Sequence, residues 1–464
     1  MTSTRRAFVD LHPANTARGT VRVPGSKSIS IRVLLLAALS KGETTIDGLL
    51  DSDDTTVMRD ALRALGVPMR VAGPSLIVEG ATGFPHREAD VFVGNSGLSI
   101  RTLTAALAFA GGRYRLSGIA RMHERPIGDL VDALARVGAR IRYEAASGFP
   151  PLRIEPADVG PGTATRSLRV DASASSQFLT GLLQAAPMLA ADADLTIAVE
   201  GELISRPYVD LTIALMARFG VVVREDPANR FHVAHGSRYA SPGTIAVEGD
   251  ASSASYLLAA GLLGGGPVRV QGVPRDSLQG DARFVDVLIA MGAQVSQTDD
   301  GIEVASPGVA SGFRLRAIDA DFNDIPDAAM TVAVLALFAA APCTLHNIGS
   351  WRVKETDRLA AMATELGRFG AQVELGDDWL RVHPLSPAAL ATRTEHAVRG
   401  EPIAVETYDD HRIAMCFSLA RFLGIPVRIL DPDCVAKTFP DYFERFETLV
   451  ERSGAYATLH HDHA

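Results

Sequence analysis

Three kinds of residue in this sequence stand where they could do chemistry. The first is a basic residue at a helix start rich in glycine and serine. "VPGSKSISIR", residues 23–32, passes from a strand end through a Gly turn into hydroxyls, Lys27 and Arg32, then into the apolar run "VLLLAAL". Arg101 stands in a similar start, "VGNSGLSIR", and Arg412 in "YDDHR". The second is a set of cations beside Pro, Gly and aromatic turns: Arg125 in "HERPIGD", Arg352, Lys354 and Arg358 in "WRVKETDRL", and Lys437 in "CVAKTFPDYF". A helix start presents free N–H groups and about half a positive charge. Arginine holds carboxylate and phosphate through paired hydrogen bonds. Together these point to a substrate with several negative charges. The third kind is acidic: Asp327 in "NDIPDAAM" and Glu355 beside Lys354. In a cationic setting these acids, with His411 next to Arg412, are the available proton-transfer groups. Each residue also has a plainer reading. Small polar residues are ordinary helix caps, Asp327 is a first-turn acid, Glu355–Arg358 is an i,i+3 pair, and His411 is a polar spacer. The number of cations set in such turns favours the substrate reading.

Other chemistries lack their signals. There is no GxxxxGK[ST] loop and no GxGxxG after a strand, so a nucleotide cofactor is not indicated. "GNSGLS" and "GSKS" do not match the GxSxG elbow of a serine hydrolase. No His/Asp/Glu cluster has metal spacing, and the "HHDHA" tail reads as a frayed terminus more readily than as a weak metal site.

The elements that must position these residues repeat. The strand–turn–apolar helix of residue 23 returns as "VGNSGLSIRTLTAALAF" from Val93, "VDASASSQFLTGLLQAA" from Val170, "VEGDASSASYLLAAGLL" from Val247, "IDADFNDIPDAAMTVAVLAL" from Ile318 and "VETYDDHRIAMCFSLA" from Val405. A second series interleaves: an amphipathic helix, a glycine stop (Gly66, Gly138, Gly220, Gly292, Gly370) and an alternating strand. "YFERFETLVERSG" is a degenerate sixth member. The period exceeds the roughly 20–50 residues of solenoids, so each unit is a β-α-β-α-β-β module. Six modules predict two globular domains of three each, split near residues 240–250, where "GSRYASPG" reads as a linker. One large doubly wound sheet is the alternative. If three helix starts in each domain face a common cleft, six positive helix ends gather there.

The chain has 464 residues, beyond the roughly 100–200 of one domain. Its net charge of −9 argues against a general nucleic-acid or membrane-surface binder, so an anionic ligand needs a local basic site. Cys343, Cys416 and Cys434 are widely spaced, which suits a reducing compartment. "MTSTRRAFVD" has no apolar stretch of signal-peptide length. "AAMTVAVLALFAAAPC" falls short of the roughly 18 residues of a membrane span and reads as a buried helix.

Nine segments in order, from about residue 12 to 450, carry a resemblance. "PGSKSISIRVLLLAAL", "VGNSGLSIRTL", "ERPIGDLVDAL", "DASASSQFLTGLL", "ELISRPYVDLT", "IPDAAMT", "WRVKETDRLAAM", "DDHRIAM" and "AKTFPDYF" together resemble the 5-enolpyruvylshikimate-3-phosphate synthase family. The resemblance implies an α/β fold of two inside-out domains, each of three β-α-β-α-β-β units, hinged around an interdomain cleft. One domain would be discontinuous, residues 1–21 plus 247–464, and the other, 22–246, inserted. It implies transfer of the enolpyruvyl group of phosphoenolpyruvate to the 5-hydroxyl of shikimate 3-phosphate, with release of phosphate and no metal or organic cofactor. A cytoplasmic monomer with these two small-molecule partners, and with no nucleic acid or membrane, is expected.

Carried over motif by motif, the resemblance assigns Lys27 to both substrates and to proton transfer. Ser28, Arg32, Ser175, Ser176, Gln177, Ser205, Tyr208, Ser350 and Lys354 would hold shikimate 3-phosphate, Gln177 also touching phosphoenolpyruvate. Gly97, Arg125, Arg358, Arg412 and Lys437 would bind phosphoenolpyruvate. Asp327 would contact shikimate 3-phosphate and take its 5-hydroxyl proton, Glu355 would relay the proton at the methyl carbon, and His411 would share that work.

There are departures. Ser350 stands where the family often has Asn, so one hydrogen bond to shikimate 3-phosphate is in question. After Asn95 the family reads A-G-T-A-M-R-P where this chain reads S-G-L-S-I-R-T, placing Leu98 and Thr102 where Thr and Pro are common. That segment bears on glyphosate, which in the family occupies the phosphoenolpyruvate site. Two rival readings remain. UDP-N-acetylglucosamine enolpyruvyl transferase shares the fold but generally carries a cysteine near the second helix start, and Val93 to Asp129 contains none. A non-catalytic two-domain anion binder would not need Asp327 and Glu355 among cations.

Overall fold

The computed structural model describes residues 6–157, 165–386, 388, 389, 391 and 399–452; the "HHDHA" tail lies outside them. The chain divides into two compact units. One joins the residues through Pro24 to those from Gly249 onward, and the other is Gly25–Glu248.

Two kinds of helix build each unit. Lys27–Leu39, Gly97–Ala108, Ser176–Leu189, Ala251–Gly264, Ala329–Leu335 and His411–Phe417 carry little polar surface on any side. Such a helix has no face to give to water and must lie inside. Every residue of Gly97–Ala108 and Ala251–Gly264 is buried, and each buried leucine contributes roughly 1.5–3 kcal/mol. Of the stretch expected to be a buried helix at 328–343, Ala329–Leu335 and a following 3₁₀ turn, Ala336–Phe338, are buried helix, whereas Ala340–Pro342 is exposed and Cys343 begins the strand Cys343–His346. The second kind, Asp53–Ala64, Gly128–Ala135, Arg206–Arg218, Phe284–Met291 and Arg358–Arg368, keeps one buried stripe. Gly66, Gly138, Gly220, Gly292 and Gly370 follow these helices with positive φ, the left-handed stop that suits a residue without Cβ.

Among the described residues the strands form six small sheets. In the regular modules the order is first, second, fourth, third. Glu88–Phe92 runs parallel to Arg113–Ser117, which pairs antiparallel with Leu152–Glu155, which in turn pairs with Arg140–Tyr143. The sheets built from Thr165–Asp171 and from Asp319–Asp321 repeat this order. Burial alternates along the strands: in Gly265–Gln271 the side chains of Val268 and Val270 are buried. Each unit is thus an inside-out α/β body, with apolar helices central and each sheet giving one face to water.

The first modules depart from the local pattern. Ala14–Arg22 leads directly into the Lys27–Leu39 helix of the Gly25–Glu248 unit, yet it pairs in parallel with Gly265–Gln271 of its own unit. Thr244–Ala246 leads into Ala251–Gly264, yet it pairs with Gly42–Asp47. At Val23 and Val247 the strand and the helix after it therefore belong to different units. The crossings need glycine for close approach. A Cβ on Gly25 would lie 2.1 Å from the Gly48 carbonyl oxygen, and one on Gly249 would lie 2.7 Å from Val23 Cγ2. In the sixth module Phe8–Leu11 pairs antiparallel with Val427–Leu430, the place taken by the fourth strand in the regular modules, while Val450–Arg452 pairs with Ala14–Arg22.

"GSRYASPG" is not a linker. Tyr239 is buried and donates its hydroxyl to the Gln184 carbonyl at 3.0 Å, and Ser241 Oγ donates to the Glu43 carbonyl at 2.5 Å. The small polar residues that suggest a linker here serve a turn packed onto its own unit. No helix among the described residues is long and apolar enough to cross a membrane.

Candidate active site

In the Gly25–Glu248 unit, a serine precedes the start of each of the three central helices. Ser26 accepts the Ile29 N–H at 3.4 Å, Ser175 accepts the Gln177 N–H at 3.2 Å, and Ser96 precedes Gly97. Lys27 is the first residue of its helix, and its Nζ lies 3.5 Å from Asp54 Oδ2 at the start of the Asp53–Ala64 helix.

One turn further on, Arg32 is only 1 % exposed. Its guanidinium donates to Thr212 Oγ1 (2.8 Å), the Ser28 carbonyl (2.9 Å), Thr180 Oγ1 (3.3 Å) and the Tyr208 carbonyl (3.3 Å), and lies 6.0 Å from the Tyr208 ring. All these acceptors are neutral, and no carboxylate among the described residues pairs with it. Burial lowers its pKa to about 10, so it stays cationic at neutral pH. A buried charge ordinarily has a counter-charge, and a substrate carboxylate or phosphate is the natural one here. Arg32 thereby draws Ser28 and Tyr208 together; Ser205, at φ 53, caps the helix that carries Tyr208.

A second arginine organises the other two starts. Arg101 donates to the Gly97 carbonyl (2.9 Å), Gln177 Oε1 (3.1 Å) and the Pro126 carbonyl (2.7 Å). Arg125 donates to the carbonyl and Oδ1 of Asn95, at 2.9 and 3.2 Å. Gly97 leaves room for both: a Cβ there would stand 2.4 Å from Arg125 Nη2 and 2.7 Å from Arg101 Nη1.

The other unit gathers the acids. Arg358, 1 % exposed, opens its helix and holds three carboxylates: Asp410 Oδ2 on Nε (2.8 Å), Asp327 Oδ1 on Nη1 (2.9 Å) and Glu355 Oε2 on Nη2 (2.9 Å). Burial opposes the charge, but Asp410, Glu355 and Asp327 outweigh it, and the guanidinium pKa is raised. Arg412 donates to the other oxygen of Asp327 (2.7 Å) and to the Tyr256 hydroxyl (3.1 Å). Lys437 Nζ lies 3.9 Å from Glu355 Oε1. His411 is fully buried, its Nδ1 3.5 Å from Asp410 Oδ1. The Trp351 indole donates to the Pro326 carbonyl at 2.8 Å, which fixes the turn bearing Ser350 and Lys354 beside Asp327.

Two expectations are corrected. The positive helix ends are not all available to substrate. Asp250 and Asp410 cap two starts in this unit, accepting the N–H of Ser253 (2.7 Å) and of Arg412 (2.9 Å), so carboxylates of the chain already meet those dipoles. Arg352 turns to the hairpin of its own module and donates to the carbonyls of Gly376 (2.6 Å) and Asp377 (2.9 Å). Sequence reasoning also missed three partners. Asp54 and Asp410 stand in double-Asp pairs before or at helix starts, a signal that could have been used. Tyr256, inside an apolar helix, has no local signal.

The family described as EPSP synthase (3-phosphoshikimate 1-carboxyvinyltransferase) matches residues 11–446, a span that holds every residue named above as a site residue. The chain belongs to the EPSP synthase family. It is 57% identical over 446 residues to the 3-phosphoshikimate 1-carboxyvinyltransferase of Paraburkholderia phytofirmans, covering 96% of this chain and 99% of the relative. It is 58% identical, with the same coverage, to the enzyme of that name from Burkholderia cenocepacia. The fold is that of an EPSP synthase from Acinetobacter baumannii, with TM-score 0.72 at 23% identity over 96% of this chain and 98% of that one. It is equally like the enolpyruvyl transferase NikO from Streptomyces tendae, with TM-score 0.72 at 19% identity over 97% and 98%. A two-domain α/β transferase of the EPSP synthase family performs enolpyruvyl transfer in the shikimate pathway, toward aromatic amino acids, and the family uses phosphoenolpyruvate and shikimate 3-phosphate.

Proposed function

We propose that the residues of these two clusters divide the work of the transfer as follows. Ser28, Arg32, Ser175, Ser176, Gln177, Ser205, Tyr208, Ser350 and Lys354 hold shikimate 3-phosphate. Gly97, Arg125, Arg358, Arg412 and Lys437 hold phosphoenolpyruvate, with Lys27 and Gln177 touching both substrates. A proton reaches the methylene carbon through Glu355 and Lys27, which leaves the adjacent carbon electrophilic. Asp327 takes the proton of the 5-hydroxyl as its oxygen adds to that carbon, giving a tetrahedral intermediate. The bond from that carbon to the phosphate oxygen then breaks with its electrons on phosphate. A proton returns from the methyl carbon to restore the double bond, with His411 sharing the relay. The enzyme acts as a monomer in the cytoplasm.

One observation carries this reading. A single guanidinium, Arg358, holds Asp327 on one terminal nitrogen and Glu355 on the other, so both acids stand in one ion network with Arg412 and Lys437. The assignment of Arg125 is tested at Gly97. In Gly97→Ala the new Cβ displaces the Arg125 guanidinium from its place beside Asn95. The KM for phosphoenolpyruvate, followed by phosphate release, is expected to rise about tenfold or more, the effect of one lost charge-assisted hydrogen bond. The KM for shikimate 3-phosphate should change little. An equal rise for both substrates would remove Arg125 from the phosphoenolpyruvate set.

The departures at Leu98 and Thr102 give a second expected result. Thr102 is not in the first turn: it is the sixth residue of Gly97–Ala108, and its hydroxyl donates to the Leu98 carbonyl at 3.0 Å. Proline there loses an i→i−4 bond and crowds that carbonyl, costing about 3 kcal/mol and bending the helix start. Leu98→Thr with Thr102→Pro should therefore lower the urea midpoint and strengthen inhibition by glyphosate. Equal inhibition of native and doubly substituted enzyme would show that these two side chains do not shape the inhibitor's space.

A further inference from the structure

Seven residues beyond Arg358, on the same face of its helix, stands Glu365, a carboxylate with no solvent exposure. Its Oε1 accepts the Tyr408 hydroxyl at 2.8 Å. Its Oε2 accepts the Glu406 N–H at 3.2 Å and pairs with Arg368 Nε at 3.1 Å. The segment it grips is unusual. Tyr408 and Asp409 have φ of 55 and 54, two successive left-handed residues of which neither is glycine. L-residues avoid that region, and such a turn persists only when its surroundings over-determine it. The Asp410 N–H closes the turn onto the Thr407 carbonyl at 2.8 Å. Asp410 then caps the helix that carries Arg412 and binds Arg358.

One helix therefore grips the 406–410 segment at two points about 10 Å apart along its axis. Arg358 holds Asp410, and Glu365 holds Glu406 and Tyr408. The Tyr408 hydroxyl is pushed up to about 12, first by burial and then by Glu365, so at neutral pH it is the donor.

We propose that the Glu365–Tyr408 hydrogen bond is a positioning device for the anion site: it holds the left-handed turn so that Asp410 orients Arg358 and the helix start bearing Arg412. Glu365 and Tyr408 act through these arginines and need not touch substrate. The inference rests on the assignment of Arg358 and Arg412 to phosphoenolpyruvate made above.

Tyr408→Phe removes the hydroxyl and keeps the ring. The KM for phosphoenolpyruvate is expected to rise about tenfold, as for one hydrogen bond to a charged group. The KM for shikimate 3-phosphate should be little changed. Adding Asp409→Gly supplies a residue that takes positive φ without strain, and should bring the KM for phosphoenolpyruvate back toward the native value. A hydrogen bond that only stabilises the fold would lower the thermal midpoint and leave the ratio of the two KM values where it was. That result, or a double variant no better than Tyr408→Phe, would overturn the proposal. Arg412→Lys separates the two levels of the argument. If it leaves the KM for phosphoenolpyruvate unchanged, the underlying assignment fails and this inference goes with it. If it raises that KM while Tyr408→Phe does not, only the positioning role is wrong.

Discussion

Replacing Lys27 with alanine is expected to lower kcat by roughly 100-fold or more, the low end for loss of a proton-transfer group. Its setting gives the reason. Lys27 is the first residue of a helix, where the helix dipole disfavours a cation. Asp54, at 3.5 Å, offsets that cost, and the lysine side chain is only 15% exposed. A cation kept at the unfavourable end of a helix is explained if an anionic substrate meets it there. Lys27→Arg discriminates binding from chemistry: arginine keeps the charge but does not give up its proton near neutral pH. It should restore much of the KM for either substrate while kcat stays low. The measurement is phosphate release at saturation with both substrates, and near-normal turnover of the alanine variant would take Lys27 out of the mechanism.

Arg358→Met is expected to destabilise the protein by about 3–5 kcal/mol and to abolish measurable turnover, because it leaves Asp327, Glu355 and Asp410 without the charge that joins them. Methionine fills a similar length, so cavity formation is a minor part of the loss. The sign with pH follows from the raised pKa of the guanidinium. A group raised on folding contributes its full stability below its unfolded value and loses it only as pH climbs through the folded one. Arg358 thus contributes no pH dependence of its own across the neutral range. Urea denaturation of both proteins at pH 7 tests the magnitude. A loss under 1 kcal/mol would mean that the three acids are solvated or neutralised by other groups, and that the network is not held by this arginine.

Much of the candidate site was legible in motifs. Lys27, Asp327, Glu355, Arg358, Arg412 and Lys437 each lie in a short segment whose residue types alone suggest anion binding or proton transfer. What the motifs did not carry was partnership. Asp327 and Glu355 share one guanidinium with Asp410, and Arg32 has neutral acceptors from three different helices. Apart from the i,i+3 pair Glu355–Arg358, these partners lie tens to more than a hundred residues apart, and no local period records them.

The sequence by itself determined which helices are central and where they stop. A run such as "VLLLAAL" has no polar face to expose, and a glycine after an amphipathic helix supplies the left-handed residue that ends it. Tertiary structure alone decided which strand joins which sheet. Ala14–Arg22 and Thr244–Ala246 each carry a strand pattern followed by a helix pattern, yet each pairs away from the helix that follows it. Backbone hydrogen bonds are the same for any partner strand, so a local sequence specifies that a strand must be paired but not with what. The choice is made where side chains and close backbone contacts fit, as at Gly25 and Gly249, and those contacts exist only in the folded chain.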